Sequence, residues 1–220
     1  MMLEAMFKDR VEAGRELAKH LLFLRGKNSM VLAIPRGGVP VGFEIVKILD
    51  ADFSLIISRK LPYPNAPESG FGAIAENGNI FIIPQATFNL SKKEISAIIE
   101  NQKREILRRI EVLRGGRPLP EMSGRIVILV DDGIAMGSTM MASITLCKNQ
   151  KPSQLIIASP VSSPEVAQRI EALEGVDKTI ILLKPKFFRA VAQVYEHWHD
   201  VPDHEVLEIM RDYRHHFAKH

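Results

Sequence analysis

The chain has 220 residues, 46% hydrophobic and 25% charged, which is the balance of a globular domain with one core. Aromatics make up only 6%, so that core is expected to be aliphatic. Basic residues number 29 and acidic ones 26, and a net charge of +3 is too small an excess to imply nucleic acid. A single cysteine, Cys147, excludes an internal disulfide, and its apolar surroundings predict a buried thiol rather than a nucleophile.

Charges at Glu4, Lys8, Asp9 and Arg10 interrupt the start too early for a signal peptide, and no apolar stretch reaches membrane length. The expected address is the cytoplasm. Leu3, Met6, Phe7, Val11, Leu17 and Leu21 recur at helical spacing and predict an amphipathic helix over Leu3–Leu24. Met30–Ile34 is a short apolar strand that stops at Pro35-Arg36-Gly37-Gly38. A helix is predicted over Val39–Leu49, with Pro40 in its first turn.

Phe53–Ser58 predicts a second strand, with Arg59 and Lys60 at its carboxyl end. The following LPYPNAPESGFG, dense in proline and glycine, reads as a long irregular loop. A small hairpin is predicted from Gly72–Ala75 to Asn79–Pro84 across Asn77-Gly78. Ser91 and Glu94 fit a capping box that opens a long helix to Leu113, stopped by Gly115-Gly116. Lys103, Arg104, Arg108 and Arg109 are interleaved with Glu100, Glu105 and Glu111, so this face is expected to be solvated.

Arg125–Val130, Leu155–Pro160 and Thr179–Leu183 are further strands. Helices are predicted over Ser138–Asn149, from Pro164 behind the cap Ser163 to about Leu173, and over Asp203–Phe217. IVILV, LIIAS and TIILL are apolar on both faces, as in a buried parallel sheet. The expected fold class is therefore α/β, a central and mainly parallel sheet flanked by helices. The expected organisation is one domain over residues 1–220.

Ligands of open α/β sheets bind beyond the carboxyl ends of the strands. Three polar clusters fall at such ends: Pro35–Gly38, Arg59-Lys60 and Asp131–Thr139. In the last, strand IVILV delivers Asp131 and Asp132 side by side, able to hold vicinal hydroxyls or a hard cation. GIAMGST then enters a helix near Ser138. Gly133 and Gly137 permit close backbone approach, and free N–H groups with the Ser138 and Thr139 hydroxyls can cradle a phosphate monoester. The run lacks the lysine of a Walker A loop and is not GxGxxG.

VILVDDGIAMGST, at Val127–Thr139, resembles the phosphoribosyl-diphosphate signature of type I phosphoribosyltransferases. The resemblance implies that family's fold with a small hood, here residues 184–220, and a flexible loop and hairpin region over 61–90. It implies that Asp131 and Asp132 hold the ribose hydroxyls and serve as the metal-side carboxylates. It also implies that Ala135, Met136, Gly137, Ser138 and Thr139 bind the 5-phosphate, with Gly133 in the same substrate-binding run. Met136 stands where the family usually has threonine, which removes one hydroxyl and leaves the backbone nest. AIPRGGVPVG resembles the diphosphate loop, with Arg36, Gly37 and Gly38 beside the leaving group, and in the family a non-proline cis peptide is common there. Arg59 and Lys60 resemble the basic strand end below a closing loop; a solvated strand end is the alternative.

AIPRGGVPVG, the RKL strand end, GAIAE at Gly72–Glu76 and FRAVAQVY are shared with a broad group of bacterial and archaeal phosphoribosyltransferase-like proteins. The implied activity is magnesium-dependent transfer of a 5-phosphoribosyl group from 5-phosphoribosyl-1-diphosphate to a nitrogen nucleophile such as a nucleobase, releasing diphosphate. A regulator that senses this donor or a nucleotide on the same fold is one alternative, and a non-catalytic subunit another. Glu76 could orient the acceptor or be structural. Phe187 and Phe188 could stack on a base or pin the tail. The histidines from His197 onward lack metal spacing and are expected at the surface. The acceptor and the oligomeric state stay open, a homodimer among the alternatives.

Overall fold

A computed structural model describes residues 6–217. In chain order the elements are α1 (Arg10–Lys19), β1 (Ser29–Ala33), α2 (Gly38–Leu49), β2 (Asp52–Leu55), β3 (Ser58–Tyr63), β4 (Ala66–Ala75) and β5 (Ile80–Ile82). There follow α3 (Lys92–Arg114), β6 (Ile126–Val130), α4 (Ser138–Asn149), β7 (Gln154–Val161), α5 (Pro164–Glu171), β8 (Lys178–Leu183) and α6 (Asp203–His216). No described helix is long and apolar enough to cross a membrane.

The main sheet has the order β2-β1-β6-β7-β8, and every pairing in it is parallel. Alternation of side chains sorts the strands into two cores. Val31, Ala33, Ile128, Val130, Ile156 and Ala158 face α1, α2, α3 and α6. Met30, Leu32, Val127, Leu129, Leu155 and Ile157 face α4, α5 and the smaller sheet. Both faces are covered, which is why these strands read as unbroken apolar runs. Cys147 is buried, and burial pushes its thiol up to about 12.

Chain order and spatial order diverge at β1. The chain leaves β1 for β2 on one side and returns to place β6 on the other. The carboxyl ends of β1 and β6 therefore open beside each other at a switch point, where crossover loops part and leave a crevice. Ile34 N–H donates to Val130 O at 2.9 Å, so the loops after the two strands start from the same level.

Three expectations need correction. The first helix starts at Arg10, behind Asp9 whose side chain caps Glu12 N–H; Phe7 instead bridges Tyr195 in parallel, and Leu3 lies outside the described residues. The second strand ends at Leu55, and Arg59 and Lys60 belong to the next one.

The supposed irregular loop is a β-hairpin of β3 and β4, continued by β5 into an antiparallel three-stranded sheet. Its prolines fit because of where they fall. Pro62 sits on the edge strand at two register shifts, and Pro67 lies in the part of β4 that β5 does not reach. The expected turn at Asn77-Gly78 is present, with Gly78 at φ +86. The capping box of Ser91 and Glu94 is complete, and Gly115 ends α3 in the left-handed conformation.

Candidate active site

Each expected cluster follows from the switch-point geometry. The Arg36-Gly37-Gly38 loop leaves β1 and crosses directly against the loop after β6, and the Pro35–Arg36 peptide is cis. No side chain fits at Gly37: a Cβ there would stand 2.0 Å from Asp132 Oδ2. At Gly38 it would stand 2.8 Å from Val130 O and 3.0 Å from the Asp131 Cα. The two loops are therefore packed backbone to carboxylate, and Arg36 and the acidic pair share one edge, as the sequence predicts.

Gly37→Ala is accordingly expected to push the Asp132 carboxylate out of place. It should cost about 1–3 kcal/mol in chemical denaturation, the usual range for overpacking a full site.

Beyond Asp131 the chain forms the expected nest. Gly137 takes φ +78 as the N-cap of α4, and its carbonyl accepts from Met141 N–H. The N–H groups of Ser138, Thr139 and Met140 thus begin α4 without acceptors inside the helix, and no acidic residue occupies that first turn. They border a cleft of about 210 Å³ whose walls include Asp131, Gly133, Lys60 and Glu68. Ala135 and exposed Met136 form its rim; Met136 O is held by Arg169 Nη2 at 2.9 Å. A helix N-terminus with free donors, a nearby ammonium and a glycine-lined approach can hold an anion such as a phosphate monoester.

The two carboxylates lie together but are held by different groups. Asp131 lines the nest cleft, and its Oδ1 accepts from Asp132 N–H at 2.9 Å. Burial first, and the neighbouring Asp132 charge second, raise its pKa well above the usual carboxylate value. Asp132 carries a partner of its own. Its Oδ2 accepts from Arg10 Nε at 2.7 Å in a buried ion pair. Both were expected to face the ligand; the Asp132 charge has a protein partner instead, buried Arg10.

Arg10 also donates to His199 O at 2.9 Å and lies 4.0 Å over the Trp198 ring, while Tyr195 Oη–H donates to Asp132 O at 2.7 Å. Of these residues, Arg10 escaped the sequence analysis. FRAVAQVY marked the Tyr195 segment, but nothing local pointed to Arg10.

Arg59 and Lys60 separate as neighbours on a strand must. Lys60 lines the nest cleft and donates to Glu68 O at 2.6 Å. Arg59 points to α3, where its Nε donates to Gln102 Oε1 at 3.1 Å. There it meets residues expected to be solvated. Arg109 is buried, bonded through Nε to Glu105 at 2.9 Å and through Nη1 to Pro35 O at 3.5 Å. Arg108 reaches Asp203, which also pairs with Arg36. Burial, and then the charge of Arg109, pull the Arg59 pKa down to about 10.

Glu76 is structural. It accepts from Ile57 N–H and pairs with buried Arg114, so it lies behind the strands rather than in the cleft. Phe188 packs with Phe7, Val161, Val194 and Tyr195, and so pins the tail; Phe187 is 80% exposed. His197, His199, His204, His215 and His216 are at the surface, as expected, and His220 lies outside the described residues.

Residues 5–196 match the phosphoribosyl transferase domain family model. The chain belongs to that family. Its phosphoribosyl transferase domain is 36% identical over 208 residues to a Mycobacterium tuberculosis protein named "Putative phosphoribosyl transferase Rv0571c". That match takes in 93% of this chain but 46% of the relative, so the chain spans about half the length of the curated relatives it matches. Among solved structures, TT1426 from Thermus thermophilus is 32% identical and superposes with a TM-score of 0.76, covering 97% of this chain and 99% of that one. The parallel sheet, the nest after β6 and the glycine loop after β1 are thus the type I phosphoribosyltransferase fold.

Proposed function

We propose that the chain transfers the 5-phosphoribosyl group of 5-phosphoribosyl-1-diphosphate to a nitrogen nucleophile, a nucleobase or related base. The C1–O bond to diphosphate breaks, a C1–N bond forms, and the acceptor nitrogen gives up a proton. The observation that carries this reading is the convergence, at one switch point, of an anion nest, a desolvated carboxylate and an arginine-bearing glycine loop.

In this reading the N–H groups of Gly137, Ser138 and Thr139 hold the 5-phosphate, with Lys60 facing it across the cleft. Asp131 accepts from the ribose hydroxyls. Arg36 and Arg59 stand where charge grows on the departing diphosphate, and fixed cations there stabilise that charge without reorganising. The 187–199 stretch, packed over Gly133 through Val191, borders the site from the acceptor side.

Among the described residues no three metal-ligating side chains converge. Asp132 is engaged by Arg10, which leaves Asp131 as the carboxylate fit for a magnesium ion carried mainly by the donor's own oxygens. Magnesium, when bound, would neutralise part of the diphosphate charge.

Asp131 must be ionised to accept both hydroxyl protons or to touch the metal. Its pKa is raised, so donor affinity is expected to strengthen as pH rises through that value and then level off. The reaction itself is tested by incubating the chain with donor, magnesium and a panel of nucleobases and small amines, with products resolved by mass. A phosphoribosylated acceptor is the expected result. Diphosphate release yielding only ribose 5-phosphate with every acceptor would overturn transfer.

A further inference from the structure

We propose that Arg108, on α3, is a ligand of the donor's diphosphate, and that Asp203, the first residue of α6, is the internal counter-ion the diphosphate displaces. The inference rests on the donor reading above and adds to it two residues far from either signature.

Asp203 behaves as a small anion held between two cations. Its Oδ1 lies 3.3 Å from Arg36 Nη1 and its Oδ2 lies 3.1 Å from Arg108 Nη1. Those guanidinium groups come from the loop after β1 and from the last third of α3, and Asp203 bridges them from a third element. Arg36 sits at the glycine loop expected to meet the leaving group. The side chains of Arg36, Asp203 and Arg108 are 35%, 27% and 44% exposed, so the bridge is open to a competing anion from solution.

The local charge is unbalanced even with Asp203 in place. Arg36, Arg59, Arg108 and Arg109 face two carboxylates, Glu105 and Asp203. Glu105 is already committed. It takes Arg108 Nε and Nη2 at 2.8 and 2.9 Å, and Arg109 Nε at 2.9 Å. That leaves Arg108 Nη1 as the donor facing Asp203, and Glu105 fixes the guanidinium so that this donor is pre-aimed. Beside it opens a cavity of about 380 Å³ lined by Arg59, Arg104 and Arg108 with Asn101, Gln102 and Glu105. A multiply charged anion reaching Arg36 from the nest side meets this wall next, and it carries more charge than the single carboxylate it replaces. A purely structural role is the rival account, because an acid at the first turn of α6 is favourable to that helix by itself.

The two accounts differ in sign. Inorganic diphosphate with magnesium, and separately ribose 5-phosphate, would be titrated calorimetrically into the wild type, Asp203→Asn and Arg108→Gln. Asp203→Asn should bind diphosphate more tightly, by about threefold to tenfold, since a competing charge is gone, and Arg108→Gln should bind it about tenfold more weakly. Ribose 5-phosphate affinity should be unchanged in both variants.

Diphosphate affinity that is unchanged or weaker in Asp203→Asn overturns the counter-ion assignment. Exposed Arg108 can be replaced without disturbing the core, so unchanged diphosphate affinity in Arg108→Gln overturns the ligand assignment even if Asp203→Asn folds poorly. A wild type that binds ribose 5-phosphate but no diphosphate overturns this inference alone. A wild type that binds neither overturns the donor reading with it.

Discussion

Asp132→Asn is expected to lower stability by about 3–5 kcal/mol, the cost of stranding one partner of a buried ion pair. Arg10 is 5% exposed, and its Nε lies 2.7 Å from Asp132 Oδ2. Asparagine keeps the shape and an acceptor oxygen but removes the charge, so a buried guanidinium is left against a neutral amide. The pair also ties distant pieces together. Through Arg10 it joins α1 to the His199 carbonyl and the Trp198 ring, and through its own carbonyl Asp132 holds Tyr195. Loss should therefore show as a lower urea midpoint without ligand. Arg10→Lys should likewise lower the midpoint, because a lysine lacks the planar fork that serves Asp132 and His199 O together. An unchanged midpoint for Asp132→Asn would mean that the pair contributes nothing net.

Asp131→Asn should give the opposite profile. Its carboxylate faces the nest cleft and has no cationic partner within ion-pair distance among the described residues. Removing the charge takes away a charge-assisted hydrogen bond worth roughly 1.5–3 kcal/mol, so donor affinity should fall about tenfold to a hundredfold. Stability should hold or rise. Burial and the Asp132 charge raise the Asp131 pKa in the fold, so between the ordinary carboxylate value and the raised one the folded state holds a proton that the unfolded chain has released. Wild-type stability from this group is present at low pH and is lost as pH rises to the raised value. The variant has no such loss, so its advantage in stability should grow over that window and stay constant above it. Denaturation at several pH values reads this directly.

Most of the main sheet was legible because its signals are local. Strands buried on both faces must be apolar throughout, and β1, β6 and β7 were found within a residue or two of their ends, as was the half-buried edge strand β8. The nest was legible for the same reason: a strand, a glycine loop and a helix start are contiguous in sequence. What stayed hidden depends on partners far along the chain. The prolines that argued for an irregular loop are tolerated at an edge strand and a register shift, which only the pairing of β3 with β4 reveals.

Arg109 looked solvated because its neighbours in sequence are acidic, yet it is buried; Arg108 is exposed as expected. Glu105 does pair with both, yet one arginine faces Asp203 and the other Pro35 O. Asp132 and Asp131 looked equivalent because they are adjacent. The partner that distinguishes them, Arg10, is 122 positions away.

The central claim is that the nest and Asp131 form one site for a phosphorylated ribose. It is tested most directly by calorimetric titration of 5-phosphoribosyl-1-diphosphate with magnesium into the wild type and Asp131→Asn, with ribose 5-phosphate as competitor. The predicted result is saturable wild-type binding well below about 1 mM, stronger than roughly −4 kcal/mol, displaced by ribose 5-phosphate and weakened in the variant. No binding at millimolar donor, or equal affinity in both proteins, would contradict it.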